Sequence, residues 1–511
     1  MRRRPPRETR VSLPRVAVVL ALVGGLGWSG AQAVTSVVGR PPVPQPPVFA
    51  AYVDATVTPA YPFETPAGPA QSSVVLAFVV PSEQDPCEPS WGGYYDLDEA
   101  ADALQLERRL AQLRLTGGDA TVSFGGQRGP EPAAVCTDVA RLADLYDEVV
   151  QRYDLRRIDL DVEGASLADG EAAARRAEAV REVLDRASAD DRELDVWVTL
   201  PVTTDGLTQD GSSVVRAMIA AGVDVGVNAM TMNLGVPTAQ RPMAETVVEA
   251  ATSVHGQLRE LHRQAGAPLR EHEAWARVGV TPMIGQNDLT DEWFTIDDAV
   301  SVNAFAKEVG LGLVSMWSLN RDTTCAPPLP AVLPVVQTGC SGVQQSGARF
   351  ADVLADGLGR TAVPTGTSSP TAEESPAVAP EPRGITDDPA TSPFPVWDPV
   401  GTYPGGTKVV WQRQVYQARY WTSGFAPDTP VATAADSPWT LVGPVLPGDR
   451  PAPLPTLPEG SYPQWDAEVA YPEGSRVQLG LVPYEAKWWT QGQEPGAAVP
   501  GGSPWVLVFP G

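Results

Sequence analysis

Between residues 48 and 358 the chain sorts into short apolar runs and longer stretches whose apolar residues recur at helical spacing. The runs at 48–53, 74–80, 120–124, 157–162, 194–200, 225–232, 278–284 and 313–317 read as eight strands. Amphipathic helical patterns lie between most of them. Thr137 is placed to cap one such helix, in which Val139, Leu142, Tyr146, Val149, Val150 and Tyr153 share a face. Strands alternating with helices predict a parallel α/β sheet, and eight is the number that closes a (β/α)8, or TIM, barrel. An open doubly wound sheet is the competing architecture. It usually carries a Gly-rich phosphate turn after its first strand, and no such turn is seen here.

One strand breaks the apolar pattern in a regular way. Residues 157–164 read RIDLDVEG, with apolar and acidic residues in strict alternation. In a strand, side chains point to opposite faces in turn. Asp159, Asp161 and Glu163 then share one face, with about 7 Å between successive Cα atoms. In a barrel, Ile158, Leu160 and Val162 face the helices and the acids face inward. Glu163, last in the row, reaches the C-terminal mouth, where barrel enzymes hold their active sites. Neighbouring buried acids raise one another's pKa and share a proton, which keeps one carboxylic acid able to donate near neutral pH. A solvated antiparallel strand or a divalent-metal site would also use such residues, but no Asp/Asn-rich loop with a turn glycine supports a metal. No cofactor is implied.

Beyond the barrel, residues 359–393 are rich in Pro, Ser, Thr and Ala and read as a disordered linker. A repeat follows. Trp397-Asp398 recurs as Trp465-Asp466, and Tyr403-Pro404 as Tyr471-Pro472. Tyr416–Thr422 (YQARYWT) recurs as Tyr484–Thr490 (YEAKWWT), and Ser437-Pro438-Trp439 as Ser503-Pro504-Trp505. These are two copies of one small module, 394–444 and 461–511, joined by a Pro-rich spacer at 445–460. Adjacent aromatics cannot both point inward along one strand. At least one of Tyr420 and Trp421, and one of Trp488 and Trp489, should be exposed, while Trp397, Trp439, Trp465 and Trp505 fill small cores.

Residues 1–40 carry a basic start, MRRRPPRETR, an apolar stretch, and Ala31-Gln32-Ala33 as a cleavage-like site. This reads as a signal peptide, with an N-terminal membrane anchor as the alternative. The four cysteines suit the oxidising compartment that export implies, with Cys87–Cys136 and Cys325–Cys340 the preferred pairs. A net charge of −25 and a pI near 4.5 argue against a nucleic-acid partner. The three histidines, His255, His262 and His272, lie in or just after one predicted helix, away from the strand ends. That position argues against a His-based triad or metal site, and the three are expected to be exposed helix residues.

The acidic strand resembles the signature of glycoside hydrolase family 18, the chitinases, whose fourth strand carries D-x-x-D-x-D-x-E. Ser123-Phe124-Gly125-Gly126 resembles that family's S-x-G-G, and Asn228–Asn233 (NAMTMN) stands where its sixth strand meets substrate. Val280–Gly285 (VTPMIG) and Ser315–Asn320 (SMWSLN) resemble strands seven and eight of a bacterial branch. The resemblance spans about 48–358. It implies that Glu163 protonates the glycosidic oxygen and Asp161 orients the 2-acetamido group. Asp159 would share Asp161's proton, and Trp317 would lie under the sugar. The mechanism it implies is retaining and substrate-assisted, with no enzyme nucleophile. Ser123, Gly125, Gly126, Met230, Met232 and Asn233 map to substrate-contacting positions. Three departures stand out: Arg156 replaces the first Asp of the signature, Val162 a common aromatic, and Met232-Asn233 the usual Tyr-Asp.

The repeats resemble chitin-binding modules of carbohydrate-binding families 5 and 12, with Tyr420, Trp421, Trp488 and Trp489 as the sugar-stacking rings. An exported chitinase is therefore expected, with chitin or a related N-acetylglucosamine polymer as partner. The alternatives are a non-catalytic chitin- or wall-binding protein on a decayed barrel, and an endo-β-N-acetylglucosaminidase using the same acids.

Overall fold

The computed structural model describes residues 47–327, 335–359, 387–399, 401–451, 453–496 and 503–508. The N-terminal segment 1–40 and most of the 359–393 linker lie outside these residues. Eight parallel strands form the body of the main sheet, to which the short strands Pro89–Trp91, Tyr95–Asp96 and Gly206–Leu207 add antiparallel. The eight are β1 (in two pieces, Val48–Phe49 and Ala51–Asp54), β2 (Ser73–Pro81), β3 (Asp119–Gly125), β4 (Arg157–Asp161), β5 (Asp195–Thr203), β6 (Val225–Met230), β7 (Val278–Val280) and β8 (Leu313–Val314). Each pairs with the next, and β1 pairs with both β2 and β8, so the sheet closes on itself in a TIM-barrel-like ring. All eight expected runs are present. Those at 225–232, 278–284 and 313–317 end earlier than expected, at Met230, Val280 and Val314.

Helices α1 (Leu106–Leu115), α2 (Val139–Arg152), α3 (Gly170–Ala189), α4 (Gln209–Ala220), α5 (Met243–Gln264) and α6 (Ile296–Val309) connect successive strands. In α2 the expected face is buried, but the cap is Asp138, which accepts from the amides of Ala140 and Arg141, rather than Thr137. The carboxylate sits one residue closer to the free N–H groups of the first turn. The main core lies between strands and helices and includes Ile158, Leu160 and Val162. Each such side chain contributes about 1.5–3 kcal/mol of burial.

A second cluster fills the barrel itself: Ala50, Tyr52, Val75, Ala77, Trp197 and Leu313, with Phe78 and Trp317 against it. Trp197 is the widest group inside. Glycines make room for it: a Cβ at Gly226 would meet the indole at 2.5 Å and one at Gly279 at 3.0 Å, while one at Gly312 would strike the Ala276 carbonyl oxygen at 2.0 Å as well as the indole at 2.9 Å. Its Nε1 donates to Asp195 (3.1 Å), which also accepts from Arg157 (2.8 Å). The floor of the barrel is thus closed by a packed ring and an ion pair.

The two repeats fold alike. The first pairs β9 (Lys408–Trp411), β10 (Gln414–Ala418) and β11 (Trp439–Pro444) into an antiparallel sheet, the second β12 (Arg476–Leu479), β13 (Val482–Ala486) and β14 (Trp505–Leu507). The repeated motif has a structural meaning. The hydroxyl of Tyr403 bonds the backbone N and O of Asp398 (2.6 and 3.0 Å), and Tyr471 does the same to Asp466 (2.8 and 3.3 Å). The indoles of Trp439 and Trp505 donate to the carbonyls of Phe425 (2.8 Å) and Gln493 (2.7 Å).

Candidate active site

Alternation on β4 turns Ile158 and Leu160 outward and Asp159 and Asp161 into the barrel, as expected. Asp159 is buried opposite Ser123 on β3, and Asp161 opposite Gly125 on β3 and Thr199 on β5. Glu163 follows the strand at the mouth and is partly exposed. The row therefore rises from floor to mouth.

The acids differ in how they are satisfied. Asp159 accepts three hydroxyls: Tyr52 (2.7 Å) and Ser123 (2.6 Å) on one oxygen, Thr199 (2.6 Å) on the other. Thr199 in turn accepts from the Asn228 amide (3.0 Å), whose oxygen accepts from Thr281 (2.8 Å). A relay of polar groups just past β7 and on β6 and β5 thus leads to Asp159. Burial pushes its pKa up and the three hydroxyls pull it down. Asp161 has no such support. Its Oδ1 is buried without a partner. Burial first, then the charges of Glu163 and Asp159, hold its pKa well above the ordinary carboxylate range. Asp159 is therefore the better home for negative charge, and Asp161 for a proton.

Glu163 is raised too, by burial and then by the charge of Asp288. Asp288, in the loop after β7, was not singled out from the sequence. It accepts from the Asn233 side chain (2.9 Å). Asn233 has a left-handed backbone, φ 53°, which Asn tolerates better than most residues. Its oxygen also takes the Leu289 amide (3.1 Å). Buried Glu292 accepts the amides of Leu234 (2.9 Å), Gly235 (2.5 Å) and Val236 (3.1 Å). Together they lock the loop after β6 to the loop after β7. Met230 and Met232 sit at the start of that loop, Met230 half-buried at the end of β6 and Met232 half-buried just beyond it.

Three of the expected substrate contacts have another job. Ser123 is fully buried, and its hydroxyl goes to Asp159, so it positions the acid rather than facing a ligand. Gly125 has φ +97°, and a Cβ there would meet the Asp161 carbonyl oxygen at 2.2 Å. Gly126 donates its amide to that same oxygen (3.0 Å), and a Cβ would strike the Phe78 ring at 2.9 Å. Both glycines let β3 close against Asp161.

Trp317 is partly exposed beyond β8. It stacks on Phe78 (5.6 Å, 20°) and leans on Tyr52 (5.8 Å, 56°), so an aromatic floor borders the acids. Asn320 clasps β1, accepting from the Asp54 amide (2.9 Å) and donating to its carbonyl (3.1 Å).

The histidines are not all exposed as expected. His255 and His262 are buried, and His255 stacks on Trp275 at 4.0 Å, because α5 packs over the Glu271–Trp275 helix. Burial lowers both pKa values, and both residues belong to the outer packing rather than to the mouth. The cysteines pair as preferred, Cys87 with Cys136 and Cys325 with Cys340. Tyr420, Trp421, Trp488 and Trp489 are 53%, 63%, 42% and 62% exposed, so both rings of each pair are open where at least one was expected to be.

A buried acid with a free oxygen, a raised acid beside it at the mouth and a flat aromatic floor are the parts a glycosidase needs. No protein-family model matches the chain. In sequence, 255 residues are 34% identical to the Escherichia coli protein named "Probable bifunctional chitinase/lysozyme", over 48% of this chain and 28% of that one. A further match is "Endochitinase 11" of Metarhizium anisopliae, 33% identical over 259 residues, 49% of this chain and 48% of that one. In structure, 61% of the chain matches 95% of the catalytic domain of the hyperthermophilic chitinase from Pyrococcus furiosus, with a TM-score of 0.51 and 27% identity. The likeness supports a glycoside hydrolase of the chitinase kind. The chain spans about a quarter of one curated relative and about half of the other. Among the described residues no helix is long and apolar enough to cross a membrane.

Proposed function

We propose that this protein is an exported chitinase that cleaves β-1,4-N-acetylglucosamine linkages with retention. One observation carries the reading: Asp161 is buried with a free oxygen and a raised pKa, directly below the raised carboxyl of Glu163. Glu163 gives its proton to the glycosidic oxygen as the bond to the anomeric carbon breaks. The carbonyl oxygen of the sugar's own 2-acetamido group forms the new bond to that carbon, from the opposite face. The free oxygen of Asp161 accepts the acetamido N–H and aims the carbonyl. Glu163, now a carboxylate, takes a proton from water as it opens the cyclic intermediate. Asp159 fixes Asp161 electrostatically from below, and Trp317 with Phe78 supports the sugar.

The same reading makes the two C-terminal repeats chitin-binding modules, whose exposed ring pairs stack on sugar faces. Two such anchors raise avidity for a polymer. The N-terminal sequence supports export, to the extracellular space or to the outer face of the membrane, and two disulfides fit an oxidising compartment.

A second reading is cleavage of bacterial wall glycan by the same acids, favoured by the name of the Escherichia coli relative. Product analysis on insoluble chitin and on peptidoglycan, with Glu163→Gln as control, separates the two. Release of chitooligosaccharides by the natural protein alone supports chitin as substrate. Release from peptidoglycan alone supports the second reading. No release from either supports a non-catalytic binding protein.

A further inference from the structure

The two repeats share a fold but not a setting. Arg108, in the first turn of α1, is 6% exposed, and its guanidinium reaches the first repeat. It donates to the carbonyl of Pro444 (2.6 Å), the last residue of the repeat, and, bidentately, to Asp449 in the spacer that follows directly (2.9 and 3.2 Å). Bidentate Arg–carboxylate pairs out of water are geometrically demanding and resist screening. Asp449 is itself fixed by the Leu446 amide (2.6 Å), and Arg108 by Gln105 (2.9 Å). The backbones also touch: a Cβ at Gly443 would lie 2.5 Å from the Arg108 carbonyl oxygen, so only glycine lets β11 approach α1 this closely.

The second repeat does not reproduce this surface. Val410 and Val415, which pack with Val442, Phe394 and Val445 in the first repeat, are Gln478 and Pro483 at the matching places. Gln478 donates to Leu457 (3.3 Å) and Pro458 (3.1 Å) of its own spacer. The sequence position matching Gly443, counted from the S-P-W motif, is Phe509, a bulky residue where the first repeat needs none. Among the described residues, the hydrogen bonds of the second repeat close within the repeat and the spacer.

The contact also has a direction. α1 runs from the mouth side down to the start of β3, so Arg108 lies toward the mouth. Gly443 and Pro444 sit at the Gln414 end of the first sheet, whereas Tyr420 and Trp421 follow Ala418 at the other end. Four residues of strand separate them by about 14 Å. Docking leaves both rings uncovered.

We propose that the first repeat is a fixed extension of the barrel, clamped by Arg108 and Asp449 and presenting Tyr420 and Trp421 at a set offset from the mouth, while the second repeat is a tethered anchor. The polymer chemistry of this proposal rests on the chitinase reading; the docking does not. The test is a spin-label distance in the full chain, with labels at Glu178→Cys and Ala432→Cys, both exposed. One narrow distance is expected in the otherwise natural protein. Asp449→Ala should broaden it, and the charge swap Arg108→Asp with Asp449→Arg should narrow it again. A broad distribution without the clamp variant, or a narrow one unchanged by Asp449→Ala, overturns the proposal. In parallel, Asp449→Ala should slow release from insoluble chitin by about tenfold, an effective-concentration loss, and leave a soluble chromogenic oligosaccharide unaffected. An equal loss on both substrates overturns the extension role. Absence of hydrolysis by every form would sink the chitinase reading and leave the distance result standing.

Discussion

The floor and the mouth of the barrel treat the same chemical group in opposite ways. At the lower level Asp159 is saturated: three hydroxyls from three strands hold it. Two residues higher, Asp161 is buried with an oxygen that no described group satisfies. An unpaired buried carboxylate oxygen costs stability, on the order of 1–3 kcal/mol or more. Between the saturated Asp159 and the raised Glu163, that oxygen is placed to accept a ligand's N–H. Saturation below and a free acceptor above turn a row of repelling acids into a directed device.

The sharpest way to break that contrast is Asp161→Asn. The amide presents its N–H₂ or its oxygen with equal ease and carries no charge, so the acetamido group loses its aim. A fall in kcat of about 10²-fold or more is expected, from misorientation alone. The same substitution should stabilise the fold, and the sign is fixed by the raised pKa. The contribution of natural Asp161 is fully present below the ordinary carboxylate range and is lost as pH climbs through its raised value. The variant does not titrate there, so its advantage in Tm should grow as pH rises from the ordinary carboxylate range and level off above the raised value of Asp161. A constant or shrinking gap would contradict the assignment of the proton to Asp161.

Removing the floor of the sugar site comes next. Trp317→Ala should cost about 2 kcal/mol in kcat/KM, near thirtyfold, by loss of stacking. Steady-state kinetics on a soluble oligosaccharide reads this directly. At the lower level, Tyr52→Phe removes one donor from Asp159 and should cost about 2 kcal/mol of unfolding free energy. Because Ser123 and Thr199 remain, its effect on kcat should be much smaller than that of Asp161→Asn. Comparable losses at both levels would erase the distinction. The smallest effect is on pH. Asp288 helps raise Glu163, so Asp288→Asn should move the basic limb of the pH–kcat/KM profile to lower pH with little change at its plateau.

The apolar alternation made the eight strands legible, and the acidic alternation made β4 legible, because a period of two survives without knowledge of neighbours. The supports of the acids were hidden for the converse reason. Tyr52, Thr199, Asn228 and Thr281 are single polar residues in apolar strands far apart in sequence. A signal existed: each must point inward if its apolar neighbours point outward, and four polar groups inside one barrel need partners. Ser123 was seen, but its motif suggested a ligand where burial provides an acid. Asp288 and Glu292 lie in loops without periodicity, and only the closure of the loop after β6 onto the loop after β7 explains them. For the histidines, helical spacing could not show that a short helix at Glu271–Trp275 would cover His255.

The central claim is that the carboxyl at the mouth hands its proton to a sugar linkage. Hydrolysis of a chromogenic chitooligosaccharide by the natural protein and by Glu163→Gln tests it most directly. The amide keeps the shape and cannot donate an acidic proton, so a loss of about 10³-fold or more is predicted, with the fold intact by circular dichroism. Equal rates for the two proteins, or no rate in either, would contradict it.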